Sequence, residues 1–147
     1  MESVFTQVME FKKKYPMTIT HHRLKKHSVV LERHLNPGEI VTYAFAAQKN
    51  VRNIDIFETA VIAITNERIL IAQKRVLFGY FLSSITPELY NDMQVRSGLI
   101  WGGITIDTVK EEVMLSNIQK SALPEIETAI TSFMMEAKKK KNMNSND

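Results

Sequence analysis

The sequence contains no cysteine. That excludes a disulfide scaffold, a thiol nucleophile and a zinc site built on Cys ligands. No apolar run approaches the roughly 18 residues that a membrane-spanning helix needs. The chain opens on Glu2 and polar residues, so no secretory signal is expected, and the expected location is cytoplasmic. The signatures of catalysis are missing too. Ser83, Ser84 and Ser97 stand outside any G-x-S-x-G elbow. Asp55, Glu58, Asp92 and Asp107 lack the spacing of a metal-binding loop. Gly98, Gly102 and Gly103 are not followed by Lys-Ser/Thr, so they form no phosphate loop. The paired Glu111 and Glu112 fall in a tight turn, where hydration accounts for them. These absences argue against an enzyme, and no cofactor or metal is implied.

What is present is material for one domain: 147 residues, of which 44% are hydrophobic. The formal net charge is +3, unevenly spread. Residues 1–36 carry +4, residues 37–120 carry −1, and residues 121–147 balance. The last part is still polarised, because Lys138–Lys141 are consecutive and a polar run follows. That pattern reads as a solvated, flexible tail over 139–147, with the lysines favourably placed at a helix C-terminus.

Hydrophobic spacing predicts a helix over residues 2–14, ended by Pro16, and a second over residues 20–35, with Thr20 as its N-cap. Asn36–Glu39 (NPGE) is a turn. The period then becomes strand-like. Ile40–Gln48 is β-rich, and Thr59–Thr65 is an almost unbroken apolar strand, as expected where both faces are covered. Asn66-Glu67 separates that strand from Arg68–Lys74 as a hairpin. Further strands are predicted within Val76–Ile85, Leu89–Arg96, Ile104–Asp107 and Glu112–Ser116. From Ser121, a good N-cap, Leu123, Ile126, Ala129, Ile130, Phe133, Met134 and Ala137 recur at amphipathic helical spacing. The layout is two helices, about seven short strands, and one helix. Such a sheet must curl or expose its edges, so a strongly bent barrel or sandwich plugged by the last helix is the economical solution.

Three stretches, "LNPGEIV" (Leu35–Val41), "AITNERILIA" (Ala63–Ala72) and "SSITPELYNDMQVRSGLIWGGITI" (Ser83–Ile106), precede the helix from Ser121. Their order and spacing resemble the bacterial pleckstrin-homology-like domains, in particular the YokE-like group. Tyr90 departs from the aliphatic residue usual there, and the two N-terminal helices are not part of such a domain. The resemblance implies an α+β, mainly β fold: a seven-stranded, bent antiparallel sandwich-barrel capped by the C-terminal amphipathic helix. The domain organisation is then a helical extension over 1–35, the domain over 36–138, and the tail. The resemblance also implies a non-catalytic interaction domain that binds proteins or surfaces, with self-assembly common.

Candidate contacts follow from the side chains. Leu99-Ile100-Trp101 should sit at a loop, where apolar residues need a reason such as packing back, a protein interface, or a membrane interface. Phe5, Val8 and Met9 form a stripe that must be covered by the barrel, by the second helix or by another copy, the last two being favoured because the C-terminal helix already occupies the barrel end. An anionic headgroup would be met by Lys49 and Arg52 in the Gln48–Asp55 loop, by Lys74 and Arg75, and by the C-terminal lysines. The four histidines, His21, His22, His27 and His34, are assigned to the second helix without metal-ligand spacing. The expected partner is a second copy or another protein, with an anionic membrane surface as the alternative. Nucleic acid has least support, because the sheet region is net acidic and its aromatics are not interleaved with basic residues.

Overall fold

The computed structural model describes residues 3–21, 23–51, 54–75 and 78–145. Helices α1 (Val4–Lys14) and α2 (Leu24–Arg33) come first. Seven strands follow: β1 (Val41–Val51), β2 (Ile54–Thr65), β3 (Ile69–Lys74), β4 (Tyr80–Ile85), β5 (Tyr90–Ser97), β6 (Trp101–Thr108) and β7 (Glu112–Gln119). A 3-10 turn over Lys120–Ala122 leads into α3 (Leu123–Ser145).

All seven strands form one antiparallel sheet in the order β4-β3-β2-β1-β7-β6-β5. The outermost strands do not pair with each other, so the bent sheet stays open and is not a closed barrel. β1 pairs with β2 from end to end but meets β7 only briefly. β1 and β7 pair only at Gln48↔Ser116 and Lys49↔Leu115. The linker between α1 and α2 fills the divergence. Ile19 N–H donates to the Asn117 carbonyl at 2.9 Å, and Gln48 Nε2 donates to the Ile19 carbonyl at 3.1 Å. Asn117 adopts a left-handed backbone (φ 57°) at that irregularity, a conformation Asn tolerates.

Strand alternation creates two cores. Phe45, Ile62, Ile71, Ile104 and Leu115 face inward and are sealed by Leu123, Ile126, Ile130 and Phe133 of α3. Ala44, Ala46, Val61, Ala63, Leu70 and Ala72 point the other way, onto Val4, Val8, Val30 and Leu31 of α1 and α2. Small side chains on that sheet face let the helices sit close. The unbroken apolar runs of β2 and β3 are therefore explained by cover on both faces.

This arrangement corrects the expectation for the first helix. Its burying face is Val4, Val8 and Phe11; Phe5 is half-buried and Met9 is exposed. The helix packs on β1 as well as on α2, because the second sheet face must be covered. Lys14, Glu125 and the Tyr43 hydroxyl tie α1, α3 and β1 together, with bonds of 2.5 Å and 2.7 Å to the carboxylate. The second helix also starts later than Thr20 suggested. Its N-cap is Arg23 in a left-handed conformation (φ 82°), with no side-chain cap. Only His27 lies within α2; His34 is its C-cap, His21 precedes it, and His22 lies outside the described residues. At the other end, Ser121 falls in the 3-10 turn, and α3 runs through Lys138–Lys141 to Ser145.

Candidate interaction surface

The two shortest motifs prove to be one object. The Glu39 side chain, from the NPGE turn, is completely buried, and that of Arg68, from the β2–β3 hairpin, is partly exposed at 16%. Arg68 grips the carboxylate with two bonds, Nη2 to Oε1 at 2.9 Å and Nε to Oε2 at 3.0 Å. The Asn36 amide donates to Oε1 at 2.9 Å and the Thr65 hydroxyl to Oε2 at 2.6 Å. Arg68 also donates to the His34 carbonyl at 2.8 Å and to Ser84 Oγ at 3.2 Å. Burial works to raise the Glu39 pKa, but Arg68, the Asn36 amide and Thr65 outweigh it and hold the carboxyl below its ordinary value. Asn66 completes the corner by exchanging bonds with the Ile40 backbone at 2.8 Å and 3.0 Å. Every polar atom here points at another part of the same chain. The corner is a latch between the helical segment and the sheet.

The β5–β6 turn is built the opposite way. Gly98 N–H donates to the Trp101 carbonyl at 2.9 Å and closes the loop. A Cβ on Gly98 would sit 2.7 Å from that same carbonyl, so the tight closure requires glycine. Leu99 is thrust outward with 92% of its surface exposed, and Ile100 and Trp101 keep 43% and 37%. Trp101 is anchored rather than loose: its Nε1 donates to the Met17 carbonyl at 2.7 Å. The Lys120 amide donates to the Ile100 carbonyl at 2.9 Å. Just beyond, a Cβ on Gly102 would lie 2.5 Å from the Leu123 side chain, so the glycine lets α3 begin against β6. Met17, 49% exposed, joins the apolar tip from a position 84 residues away in the chain. Sequence reasoning missed it, because nothing local links Pro16-Met17 to Trp101.

The basic residues proposed for an anion site do not gather. Lys49 is half-buried, donates to the Asn50 carbonyl at 3.0 Å, and has its pKa lowered by burial. By alternation it lies on the inner sheet face, whereas Lys74 lies on the face under α2. The Arg75 guanidinium sits 5.0 Å from the Phe81 ring. Arg52 lies outside the described residues. Of the C-terminal lysines, Lys138, Lys140 and Lys141 line an open groove of about 1490 Å³ between α3 and the β2–β3 and β4–β5 turns. They share it with Glu67, Glu88, Glu125 and Glu136, so it has no charge of one sign. Phe78, on the β3–β4 loop, is also strongly exposed, but its neighbours Val76 and Leu77 are outside the described residues.

His27 and His34 serve packing. His27 Nδ1 accepts the Lys74 amide at 2.6 Å, a role open only to the unprotonated nitrogen. Burial first, and Arg23 second, push its pKa down to about 4. His34 Nε2 meets the Tyr80 hydroxyl at 2.9 Å. Among the described residues, no three His, Asp or Glu side chains are grouped to hold a metal ion, and no helix is long and apolar enough to cross a membrane.

A solved pleckstrin homology domain from Shewanella amazonensis SB2B is similar in structure. The identity is 16% and the TM-score 0.49, over 79% of this chain and 91% of that one. No curated protein matches the chain. A family model, described as the bacterial PH domain, matches residues 35–132, from the residue before the NPGE turn to the middle of α3. With two thirds of its length matched by that model, including the buried Glu39–Arg68 latch, the chain belongs to the bacterial PH domain family.

Proposed function

We propose that this chain is a non-catalytic binding module that meets its partner through the Leu99-Ile100-Trp101 turn. One observation carries the proposal: Leu99 is 92% exposed on a loop fixed by bonds from Gly98, Trp101 and Lys120. Turn tips are ordinarily polar, because Gly, Asn, Asp and Ser make the turn and keep it hydrated. Leu and Ile contribute nothing to closing this loop, and they lie outside both cores. An anchored apolar tip loses little conformational freedom on binding, which favours association. Lys49 and Lys74, on opposite sheet faces, do not share a contact surface.

Trp101 is the single tryptophan, so its fluorescence reports the turn directly. In the free chain, iodide should quench it. Raising the protein concentration, or adding lipid vesicles, should shield it wherever binding occurs, and Leu99→Ser should weaken that binding. A partner that binds Leu99→Ser as well as the unaltered chain, and leaves Trp101 open to iodide, contradicts the proposal.

A further inference from the structure

Three stretches meet around the β5–β6 turn, and none carries an acid. Residues 12–20 hold Lys12, Lys13 and Lys14, residues 96–102 hold Arg96, and residues 117–122 hold Lys120, with no Asp or Glu in any of them. Hydrogen bonds join the three: Trp101 Nε1 to the Met17 carbonyl, the Met17 amide to Gln119 Oε1 at 2.8 Å, and the Lys120 amide to the Ile100 carbonyl. Lys14 is paired with Glu125 and Lys12 is bonded to the Thr18 carbonyl. Glu10, a turn before Lys13 and Lys14 on α1, offsets part of the charge. Lys13 and Lys120 remain exposed, and Arg96, also exposed, donates from Nη1 to the Thr105 hydroxyl. Arg96 lies opposite Gly103 in the β5–β6 ladder, on the sheet face that also carries Trp101. The segments that meet at this apolar tip thus carry cations and no acid, in a chain whose whole formal charge is only +3.

We infer that this corner docks on an anionic lipid bilayer, with Leu99 and Ile100 entering the acyl boundary and Lys13 and Lys120 facing lipid phosphates. The inference rests on the turn being the contact element, and it names the occupant. Size favours a bilayer over a protein. The tip offers four apolar side chains, Met17, Leu99, Ile100 and Trp101, against the roughly 20–30 residues a side that a standard protein interface recruits. A bilayer asks for no matching surface: a few apolar side chains and a cluster of cations act together there. Trp101 suits the headgroup level, because its ring is apolar while its N–H is already satisfied by Met17.

The test is sedimentation of the full chain with vesicles of phosphatidylcholine alone or with about one-third phosphatidylserine, a composition that gives the surface its negative potential. Trp101 emission is followed in parallel. The expected result is pelleting with the anionic vesicles only, a blue-shifted emission, and loss of binding at high salt. Leu99→Ser should weaken partitioning about tenfold, and Lys13→Glu with Lys120→Glu more than tenfold. Leu99 is exposed, so its variant keeps the fold, and an unchanged melting curve confirms that. Equal binding to both vesicle types, binding to neither, or binding indifferent to these variants overturns the inference. If vesicles do not bind while Trp101 becomes shielded as protein concentration rises, the lipid assignment falls and the turn stands as a contact between copies. If vesicles bind with Trp101 unshifted, and binding is lost with Lys138–Lys141, both readings fall.

Discussion

The Glu39–Arg68 corner and the Leu99–Trp101 turn each invert the usual placement of side chains. One puts charge inside and the other puts apolar surface outside. At the first, every buried polar atom finds a partner from the same chain, and the inversion is resolved internally. At the second, the backbone is satisfied but the side chains are not covered. A buried pair that is complete is a feature of folding; an uncovered tip held rigid is a feature that something else must complete.

The comparison is broken most forcefully at the latch. Arg68→Ala leaves the Glu39 carboxylate buried without its cation and should cost about 3–5 kcal/mol in denaturant unfolding. Replacing both by apolar residues of similar size should cost far less, because no uncompensated charge remains. If Arg68→Ala were as mild as a surface change, the corner would not be a latch. Next in size is the cut in the core beneath the helices. Leu31 is fully buried between α2 and the sheet, so Leu31→Ala should lose about 2–5 kcal/mol. A negligible loss would mean that α1 and α2 do not contribute to the same cooperative unit.

Acid should sharpen the contrast. His27 stays neutral in the fold, with its pKa near 4, while the unfolded chain takes up that proton near 6.5. The unfolded state therefore binds more protons between these values. Stability is complete above about pH 7 and falls as pH drops from 6.5 toward 4, by on the order of 3 kcal/mol. His27→Gln should flatten that step. Glu39 acts in the same direction further down: its depressed pKa makes it stabilising above the ordinary carboxylate range, and that contribution is lost as pH falls through its folded value. Melting curves across pH 4–8 measure the first step. The smallest effect belongs to the turn, where Leu99→Ser should change unfolding stability by no more than about 0.5 kcal/mol. A large loss would show Leu99 to be part of the fold after all.

Much of this was legible in the sequence, and the limits have physical causes. The middle strands were visible because β2 and β3 are apolar at nearly every position, and the same unbroken run required cover on two faces. Phe5, Val8 and Met9 make a plausible stripe on α1, but Val4, Val8 and Phe11 make an equally regular one, and only the sheet decides between them. Thr20 and Ser121 have the chemistry of N-caps, yet tertiary bonds set the helix starts elsewhere: the Thr20 neighbourhood is drawn onto the sheet, Ile19 to Asn117 of β7 and His21 to Thr59 of β2. The exposed turn was legible as an apolar anomaly before two glycines. Its companions were not, because Met17 and Lys120 reach it only through bonds across the fold. The separation of Lys49 from Lys74 was likewise hidden, since opposite sheet faces are assigned by register rather than by spacing.

Hydrogen exchange with and without anionic vesicles tests the central claim most directly. The account predicts that protection rises at residues 17–19 and 97–101, while the Glu39 and Thr65–Arg68 amides, already held by the latch, stay as they were. New protection confined to the groove beneath α3, or to the β1–β2 end of the sheet, with none at Leu99 and Ile100, would contradict it.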